Sequence, residues 1–235
     1  MELFFADPAH ISPDRAVFDE FESRHILKTL RKSAGDLIDF TDGAGGHYRG
    51  EIIRERPVLE VRPNLIMRIP IPGIKVVAGI GFIKQSRLDF IIEKGTELGI
   101  DRFMFFESKY ASYFTDNIGR WNKISRQAIK QSLRFHLPEF MVYRTFDDFL
   151  DAAGGIKFKL LADQSAGVSW PDTVRMMSKV DDDIMFVIGP EGGLDRQEID
   201  AAIARGFKGV TFGNFRLRTE TAVLSAAALL NLLRT

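Results

Sequence analysis

One glycine-rich bend constrains the fold of this chain more than any other feature of its sequence. Residues 184–187 form an apolar run typical of a buried strand, and residues 194–199 have the pattern of a helix. Between them, residues 188–193 read Ile-Gly-Pro-Glu-Gly-Gly, in which the glycines permit a sharp turn and the proline stiffens it. Strand–turn–helix junctions of this kind are where open α/β sheets bind small molecules.

A second glycine-containing junction, at residues 212–221, lies one predicted strand–helix unit further along. Thr219 is the expected N-cap of the next helix, and Glu220 lies near the positive helix end, either as a capping residue or as a reactive one. Arg218 lies just before the helix, where it can point into a pocket. Two such loops in tandem predict one site built mostly from backbone groups. The last helix, 222–233, is almost wholly apolar, which predicts burial in the core or against a second subunit.

The pattern of apolar residues divides the chain into two parts. Residues 1–70 contain short alternating strands and one helix separated by turns, which predicts a small β-barrel. Prolines and a glycine at positions 63–73 predict a linker. From residue 73 to residue 235, apolar runs alternate with helical segments near 84–98, 120–135, 196–205 and 220–234. That alternation predicts an α/β domain with a parallel sheet and helices on both of its faces.

Composition excludes several classes of protein. The 235 residues include no cysteine, so the chain has no disulfide, thiolate zinc site or cysteine nucleophile, and its 4 histidines lack metal-ligand spacing. The sequence contains no apolar window of ~18 residues, so it predicts no membrane span. Its amino terminus lacks the pattern of a secretion signal. We therefore expect a soluble cytoplasmic protein that binds no metal and no membrane.

The glycine loops do not match familiar nucleotide sites. Residues 189–193 are not followed by Gly-Lys-Ser or Gly-Lys-Thr, as a P-loop requires, and they lack the spaced glycines of a Rossmann fingerprint. No serine occupies a nucleophile elbow. Two interpretations of this bend remain. It is either part of a backbone-lined pocket that binds an adenine edge, or a tight turn in which the glycines are needed only for the backbone geometry.

Positive charge is concentrated in the middle of the chain, although the net charge is zero. Residues 73–144 carry 12 basic and 7 acidic side chains, a balance of +5. On a predicted helix, five basic residues fall within an arc of roughly 120°, and no carboxylate interrupts the stretch. These residues are Arg120, Lys123, Arg126, Lys130 and Arg134. Because like charges on one face repel, an anionic partner is favoured over a merely solvated face or an intersubunit contact.

A second basic cluster lies on the helix predicted near 84–98. Three basic residues share one face of this helix, and three carboxylates lie largely on the opposite face. The basic residues are Lys84, Arg87 and Lys94, and the carboxylates belong to Asp89, Glu93 and Glu97. Together with the first stripe, this cluster predicts a groove whose lysines and arginines bind phosphates.

Several of these segments together resemble a known family. The bend at 188–193 is combined with Leu-Arg-Thr-Glu-Thr-Ala at 217–222, and Lys-Gln-Ser-Arg at 84–87 is followed by Glu-Lys-Gly-Thr-Glu-Leu-Gly at 93–99. His-Ile-Leu-Lys-Thr-Leu-Arg at 25–31 fits the family's first domain. The chain resembles the ribosomal RNA small-subunit methyltransferase E family, which belongs to the SPOUT class of trefoil-knotted methyltransferases.

The resemblance implies both a fold and an activity. It implies a PUA-like β-barrel for RNA over residues 1–70 and a SPOUT domain with a trefoil knot over residues 73–235. It also implies a homodimer that uses S-adenosylmethionine to methylate the ring nitrogen N3 of one uridine in 16S ribosomal RNA. The alternatives are a SPOUT methyltransferase acting on another RNA site, such as a ribose 2′-hydroxyl, and a non-catalytic RNA-binding assembly factor.

Site residues follow from the same resemblance, position by position. Ten residues are expected to contact the cofactor: Leu161, Ile188, Gly189, Glu191, Gly192, Gly193, Phe212, Gly213, Leu217 and Arg218. Arg31 joins the basic residues of the two clusters as an expected RNA contact. The chain departs from the family at Phe215 and Arg216, where an arginine and an aliphatic residue are common.

The expected chemistry assigns roles to three side chains. Uridine N3 attacks a sulfonium methyl group well only after losing its proton, and a cation near the adjoining carbonyl oxygens stabilises the resulting anion. Arg218 is the expected cation, and Glu191 or Glu220 is the expected proton acceptor. Proximity and orientation supply much of the acceleration, since the cofactor carries an excellent leaving group.

Overall fold

The computed structural model describes residues 2–170, 172–173 and 182–232 of the chain. The chain forms two compact units. The first comprises Met1–Ile71 together with Arg126–Leu137, and the second comprises Pro72–Ser125 together with Pro138–Thr235. Residues 126–137 therefore pack with the first unit, although the sequence predicts that they lie in the second part.

The first unit contains a curled five-stranded sheet. Its strands are β1 (Leu3–Phe5), β2 (Ala16–Val17), β3 (Leu37–Thr41), β4 (Gly46–Arg54) and β5 (Glu60–Arg68). They follow the order β1-β3-β4-β5-β2 and are antiparallel except for the parallel pair β1 and β3. Helix α1 (Glu20–Arg24) continues as a π-helical turn over His25–Thr29. The prediction of short strands with one α-helix is confirmed here, and a 3-10 turn over Pro8–His10 is an additional element.

Alternating apolar residues explain why these segments form a sheet. Successive side chains of a strand point to opposite faces, and in β4 the side chains of Tyr48 and Ile52 are buried together. Phe40 of β3 stacks on Tyr48, with ring centroids 5.0 Å apart. Asp19 begins α1 because its carboxylate accepts a hydrogen bond of 2.8 Å from the Glu22 N–H.

Pro63 lies within strand β5, so the prediction of a linker is wrong at this position. β2 pairs with β5 only at Glu60 and Val61, so within the described residues no strand pairs with this edge of β5 from Arg62 onward. An open edge tolerates proline because the missing N–H removes no hydrogen bond to a neighbouring strand.

The second unit contains a six-stranded sheet in which every strand is parallel to its neighbours. Its strands are β6 (Val76–Gly81), β7 (Arg102–Phe106), β8 (Glu139–Tyr143), β9 (Phe158–Ala162), β10 (Ile184–Ile188) and β11 (Lys208–Val210). The strand order is β11-β9-β10-β6-β7-β8. Further α-helices are α2 (Gln85–Glu97), α3 (Ile118–Ser132), α4 (Phe146–Ala152), α5 (Arg196–Ala204) and α6 (Thr219–Asn231). A short 3-10 helix over Ala153–Gly155 follows α4.

Helices cover both faces of the parallel sheet. Phe186 of β10 packs in one apolar core with residues of α2 and α6, whereas the adjacent Val187 packs in a second core with residues of α4 and α5. This alternation is that of strands buried on both faces. The predicted parallel sheet with helices on both faces is therefore confirmed.

Three elements that the sequence analysis does not predict complete this unit: β8, α4 and β11. The apolar final helix is α6, and its buried residues Val223 and Ala226 pack in the same core as α2. The last predicted positions of that helix, from Leu233, lie outside the described residues. Within the described ranges, no helix combines the length and apolar content that a membrane crossing requires.

Candidate active site

Three loops meet at the carboxyl edge of the parallel sheet. They follow β9, β10 and β11, and parallel strands end at the same edge, so the loops converge there. They line one cavity of about 610 Å³. Its wall comprises residues 162–164, 188–194, 210–213 and 215–219, with Arg87, Ile199 and Ala222. The two glycine-containing bends thus face a common space, as the tandem spacing predicts.

Backbone geometry explains the glycines of both bends. In the first bend, the Gly193 N–H donates a hydrogen bond of 2.8 Å to the Pro190 carbonyl, and Gly193 has a φ of 78°. In the second bend, Gly213 has a φ of 104°. Side chains with a Cβ are strained at such angles, so glycine allows both turns to form without that cost.

Two hydrogen bonds tie the bends to each other. The Thr219 hydroxyl donates to the Gly189 carbonyl at 3.1 Å, and Arg216 Nη2 donates to the Glu191 carbonyl at 3.3 Å. Thr219 is the first residue of α6, and Arg218 occupies the N-cap position, so the prediction of Thr219 as N-cap is wrong. Its hydroxyl bonds the other loop instead of capping its own helix.

Arg87 joins two carboxylates beside the cavity. Its Nη1 lies 3.1 Å from Glu191 Oε1, and its Nε lies 3.9 Å from Glu220 Oε1. Glu191 lines the cavity, whereas Glu220 lies behind Arg87 with its Oε2 buried and without a hydrogen-bond partner among the described residues. Sequence reasoning assigns Arg87 to an RNA groove, but the side chain lies in the cavity wall beside these carboxylates.

Arg218 lies at the cavity with its side chain exposed. Its guanidinium makes no hydrogen bond or ion pair with any other residue that the structure describes. Five donors on a fixed planar cation are therefore available to a ligand at this position.

Of the ten expected cofactor contacts, nine line the cavity and Leu161 does not. Leu161 is fully buried on the opposite face of β9, in the core with α4 and α5, because strand residues alternate between faces. Its neighbour Ala162, which the family resemblance assigns to the same cofactor loop, does line the cavity. Sequence reasoning missed Asp163 and Thr211, which directly follow β9 and β11. Recognising β11 as a strand would have identified the second of these residues.

A further loop, after β7, holds the start of α5 beside the cavity. Lys109 Nζ lies 3.0 Å from Asp195 Oδ2, and the Lys109 N–H donates to Glu198 Oε1 at 2.9 Å. Asp195 and Glu198 also form the capping box of α5. The hydrogen bond from Lys109 lowers the pKa of the Asp195 carboxyl, which stays ionised and keeps this anchor in place.

Known proteins resemble this chain over most of its length. The sequence model of the RNA methyltransferase domain family matches residues 70–231. A ribosomal RNA small subunit methyltransferase E of Synechocystis is 30% identical over 215 residues, which cover 89% of this chain and 70% of the relative. The ribosomal RNA small subunit methyltransferase E of Mesomycoplasma hyopneumoniae is 30% identical over 160 residues, which cover 65% of this chain and 67% of that relative. The chain belongs to the ribosomal RNA small subunit methyltransferase E family.

A solved structure from this methyltransferase family shares the fold. It is a ribosomal RNA small subunit methyltransferase E from Neisseria gonorrhoeae bound to S-adenosyl methionine. It is 27% identical in sequence, with a TM-score of 0.85 over 99% of this chain and 98% of that one.

Four of the five residues of the predicted basic stripe lie on α3, but the helix ends at Ser132, so the prediction that Arg134 shares its face is wrong. The stripe is largely neutralised in this member of the methyltransferase family. Three of its five cations pair with carboxylates from distant segments. Arg120 pairs with Asp89 at 2.7 Å, Arg126 with Asp7 at 3.4 Å, and Lys130 with Glu22. The sequence argument that an external anion offsets their mutual repulsion is therefore wrong for these three residues. Lys130 is also only 9% exposed, which removes it from the accessible surface.

The cluster on α2 differs from its prediction in a similar way. Lys94 lies 2.8 Å from Glu93 and 2.9 Å from Glu97, so it does not stand on a face opposite these carboxylates. Lys84 and Lys123 are exposed, and neither has an ion-pair partner in the described chain.

The two other predicted RNA contacts lie in the first unit. Arg31 is exposed and has a φ of 57°, whereas Arg134 is half-buried. Among the described residues, no group of three or more metal-ligating side chains is present.

Proposed function

We propose that this chain transfers a methyl group from S-adenosylmethionine to N3 of a uridine in 16S ribosomal RNA. The observation that carries the proposal is the cavity, in which two backbone bends converge with the Arg218 guanidinium, which has no partner among the described residues. The names of its relatives support ribosomal RNA as the substrate class. The cofactor bound to the Neisseria gonorrhoeae protein supports the choice of methyl donor.

The residues around the cavity suit this cofactor. Its apolar side chains include Ile188, Phe212 and Leu217, and its two bends expose backbone groups that can bond an adenine edge. Glu191 adds a carboxylate beside these groups. S-adenosylmethionine, when bound, supplies a methyl group on a sulfonium, and the neutral thioether that remains is an excellent leaving group.

Two side chains prepare the uridine for attack. Arg218 donates hydrogen bonds to a carbonyl oxygen next to N3 and stabilises the negative charge that develops when the N3 proton leaves. Glu191 accepts that proton because it lines the cavity, whereas Glu220 does not. Glu220 acts indirectly. It pairs with Arg87, and this contact helps to position Arg87 against Glu191.

The remaining features of the family are proposed for this chain as well. Residues 1–70 form a PUA-like barrel that binds RNA, and residues 73–235 form a SPOUT domain with a trefoil knot. The active protein is a homodimer. Supporting the SPOUT assignment, α6 packs in one core with α2, and Arg87 of α2 lines the cavity together with the loop that precedes α6.

Mass-spectrometric mapping of 16S ribosomal RNA tests the proposal. Cells with the gene should contain a 3-methyluridine that cells without it lack, and purified protein should bind S-adenosylmethionine in calorimetry. If the cells without the gene lack a ribose methyl group and not 3-methyluridine, the result would favour a SPOUT enzyme of different specificity. Absence of cofactor binding, even with RNA present, would favour a non-catalytic assembly factor.

A further inference from the structure

Two phenylalanines on the loop between β11 and α6 have different surroundings. Phe212 stacks on the buried Trp170, with ring centroids 4.8 Å apart and planes 16° apart. Phe215, three residues later, is 84% exposed and also lines the cavity. No other aromatic ring in the described chain stacks on it. Phe212 anchors the loop in the core, so anchoring does not account for Phe215.

Two arginines, Arg216 and Arg218, follow Phe215 in the same loop and line the same cavity. Arg216 is fixed by the hydrogen bond to the Glu191 carbonyl, which restrains the loop on both sides of the cavity. Neither Arg216 nor Arg218 has a carboxylate partner among the described residues. A cavity lined by an exposed aromatic ring and by two arginines without a carboxylate partner in the described chain suits a ligand that combines a planar ring with negative charge.

We propose that Phe215 is a stacking subsite for an unpaired base of the RNA substrate. Arg216 and Arg218 favour the approach of its phosphates. Single-stranded RNA is recognised in this manner, by bases stacked on aromatic side chains and phosphates near arginines. The inference rests on the proposed function, because it assigns a contact to that substrate.

The stacked base flanks the methylated uridine. The uridine must reach Glu191 and Arg218 inside the cavity, where a methyl group can be transferred. Phe215 is exposed at the rim, so it meets a part of the RNA that stays outside. Removing the ring therefore weakens RNA binding more than it slows methyl transfer.

Steady-state methylation of a 16S ribosomal RNA fragment by three variants tests this subsite. Phe215→Ala and Phe215→Leu should each raise KM for RNA about tenfold, with kcat within about twofold of wild type. Phe215→Tyr keeps a stacking ring and should behave as wild type. Calorimetry should show unchanged S-adenosylmethionine affinity for all three variants. A leucine variant with wild-type KM would overturn the proposal, because apolar contact alone would then suffice.

Two further measurements separate the possible failures. If Phe215→Ala changes the molar mass in light scattering, the ring packs against a second copy of the chain and the subsite is disproved. Phe215→Trp reports stacking without catalysis, since RNA should quench the fluorescence of the new exposed indole. If wild type transfers no methyl group but RNA quenches this indole, the proposed function fails and the subsite stands. Unchanged fluorescence at saturating RNA would disprove the subsite.

Discussion

The cavity and the basic face of α3 differ in how they use positive charge. At the cavity, Arg216 and Arg218 have no carboxylate partner among the described residues. On α3, Arg120, Arg126 and Lys130 each pair with a carboxylate that is distant in sequence. The charge of these two arginines is therefore available at the cavity, where Arg87 is paired, whereas most of the charge along the helix is neutralised. A row of like charges in a sequence is a poor guide to the charge that a partner meets.

Arg218→Ala is expected to have the largest effect on this contrast. Loss of one donor to a developing anion costs about 100- to 1000-fold in rate, so methyl transfer in single turnover should fall by that factor. Arg196→Ala is the matched control, since Arg196 is an exposed arginine of α5 outside the cavity. Thermal unfolding should be unchanged in both variants. Equal activity in both would remove Arg218 from the mechanism.

Lys130→Met tests the other side of the comparison. Glu22 is 5% exposed, and loss of its buried cation should lower the free energy of unfolding by about 3 to 5 kcal/mol in urea titrations. The double variant Glu22→Leu with Lys130→Met should recover most of this loss, because a packed apolar pair needs no compensating charge. A single variant as stable as wild type would show that the pair is dispensable.

The same pair has an expected pH dependence. Burial raises the pKa of Glu22 above its ordinary value of 4.5, despite the opposing effect of Lys130. A raised folded-state pKa means that the stability contributed by protonated Glu22 is present below pH 4.5 and is lost as pH rises through the folded-state pKa. The defect of Lys130→Met should therefore grow from acidic toward neutral pH. A defect independent of pH would contradict this origin.

Thr219→Val should have a smaller effect, confined to the cavity. The substitution removes the hydroxyl that donates to the Gly189 carbonyl and preserves the shape of the side chain. Loss of about 1 kcal/mol from this hydrogen bond predicts roughly fivefold weaker S-adenosylmethionine binding in calorimetry. Thr221→Val, at an exposed position of α6, is the control and should bind normally.

Lys123→Gln should have the smallest effect. Lys123 is exposed and lacks an ion-pair partner in the described chain, so its loss should reduce the salt dependence of RNA binding by about one unit of slope. Arg120→Gln, which removes a cation already paired with Asp89, should change the slope less. Fluorescence anisotropy across a salt series measures both. Equal slopes for the two variants would show that internal pairing does not decide RNA contact.

Local patterns in the sequence predict the parallel sheet and the two bends well. Apolar runs of four or five residues identify most buried strands, and the glycines at 193 and 213 are needed by the backbone itself. Both signals depend on near neighbours in sequence, so no knowledge of the rest of the fold is required. Short elements such as β11 are missed because three residues carry too little periodicity.

Side-chain partners are the part that sequence alone does not predict. Arg87 meets Glu191 across 104 positions, and Lys130 meets Glu22 across 108. Such pairs depend on which elements the fold brings together. Leu161 illustrates a finer limit, because a shift of one residue along β9 decides whether a side chain faces the cavity or the opposite core.

The hydrogen bond between Thr219 and Gly189 has a consequence for how the protein is made. The two residues are 30 positions apart in the chain. At about 5 to 20 residues per second, a ribosome adds the threonine roughly 2 to 6 s after the glycine. During that interval the first bend has no second wall to pack against. A nascent chain therefore cannot enclose a small molecule until translation has passed residue 219.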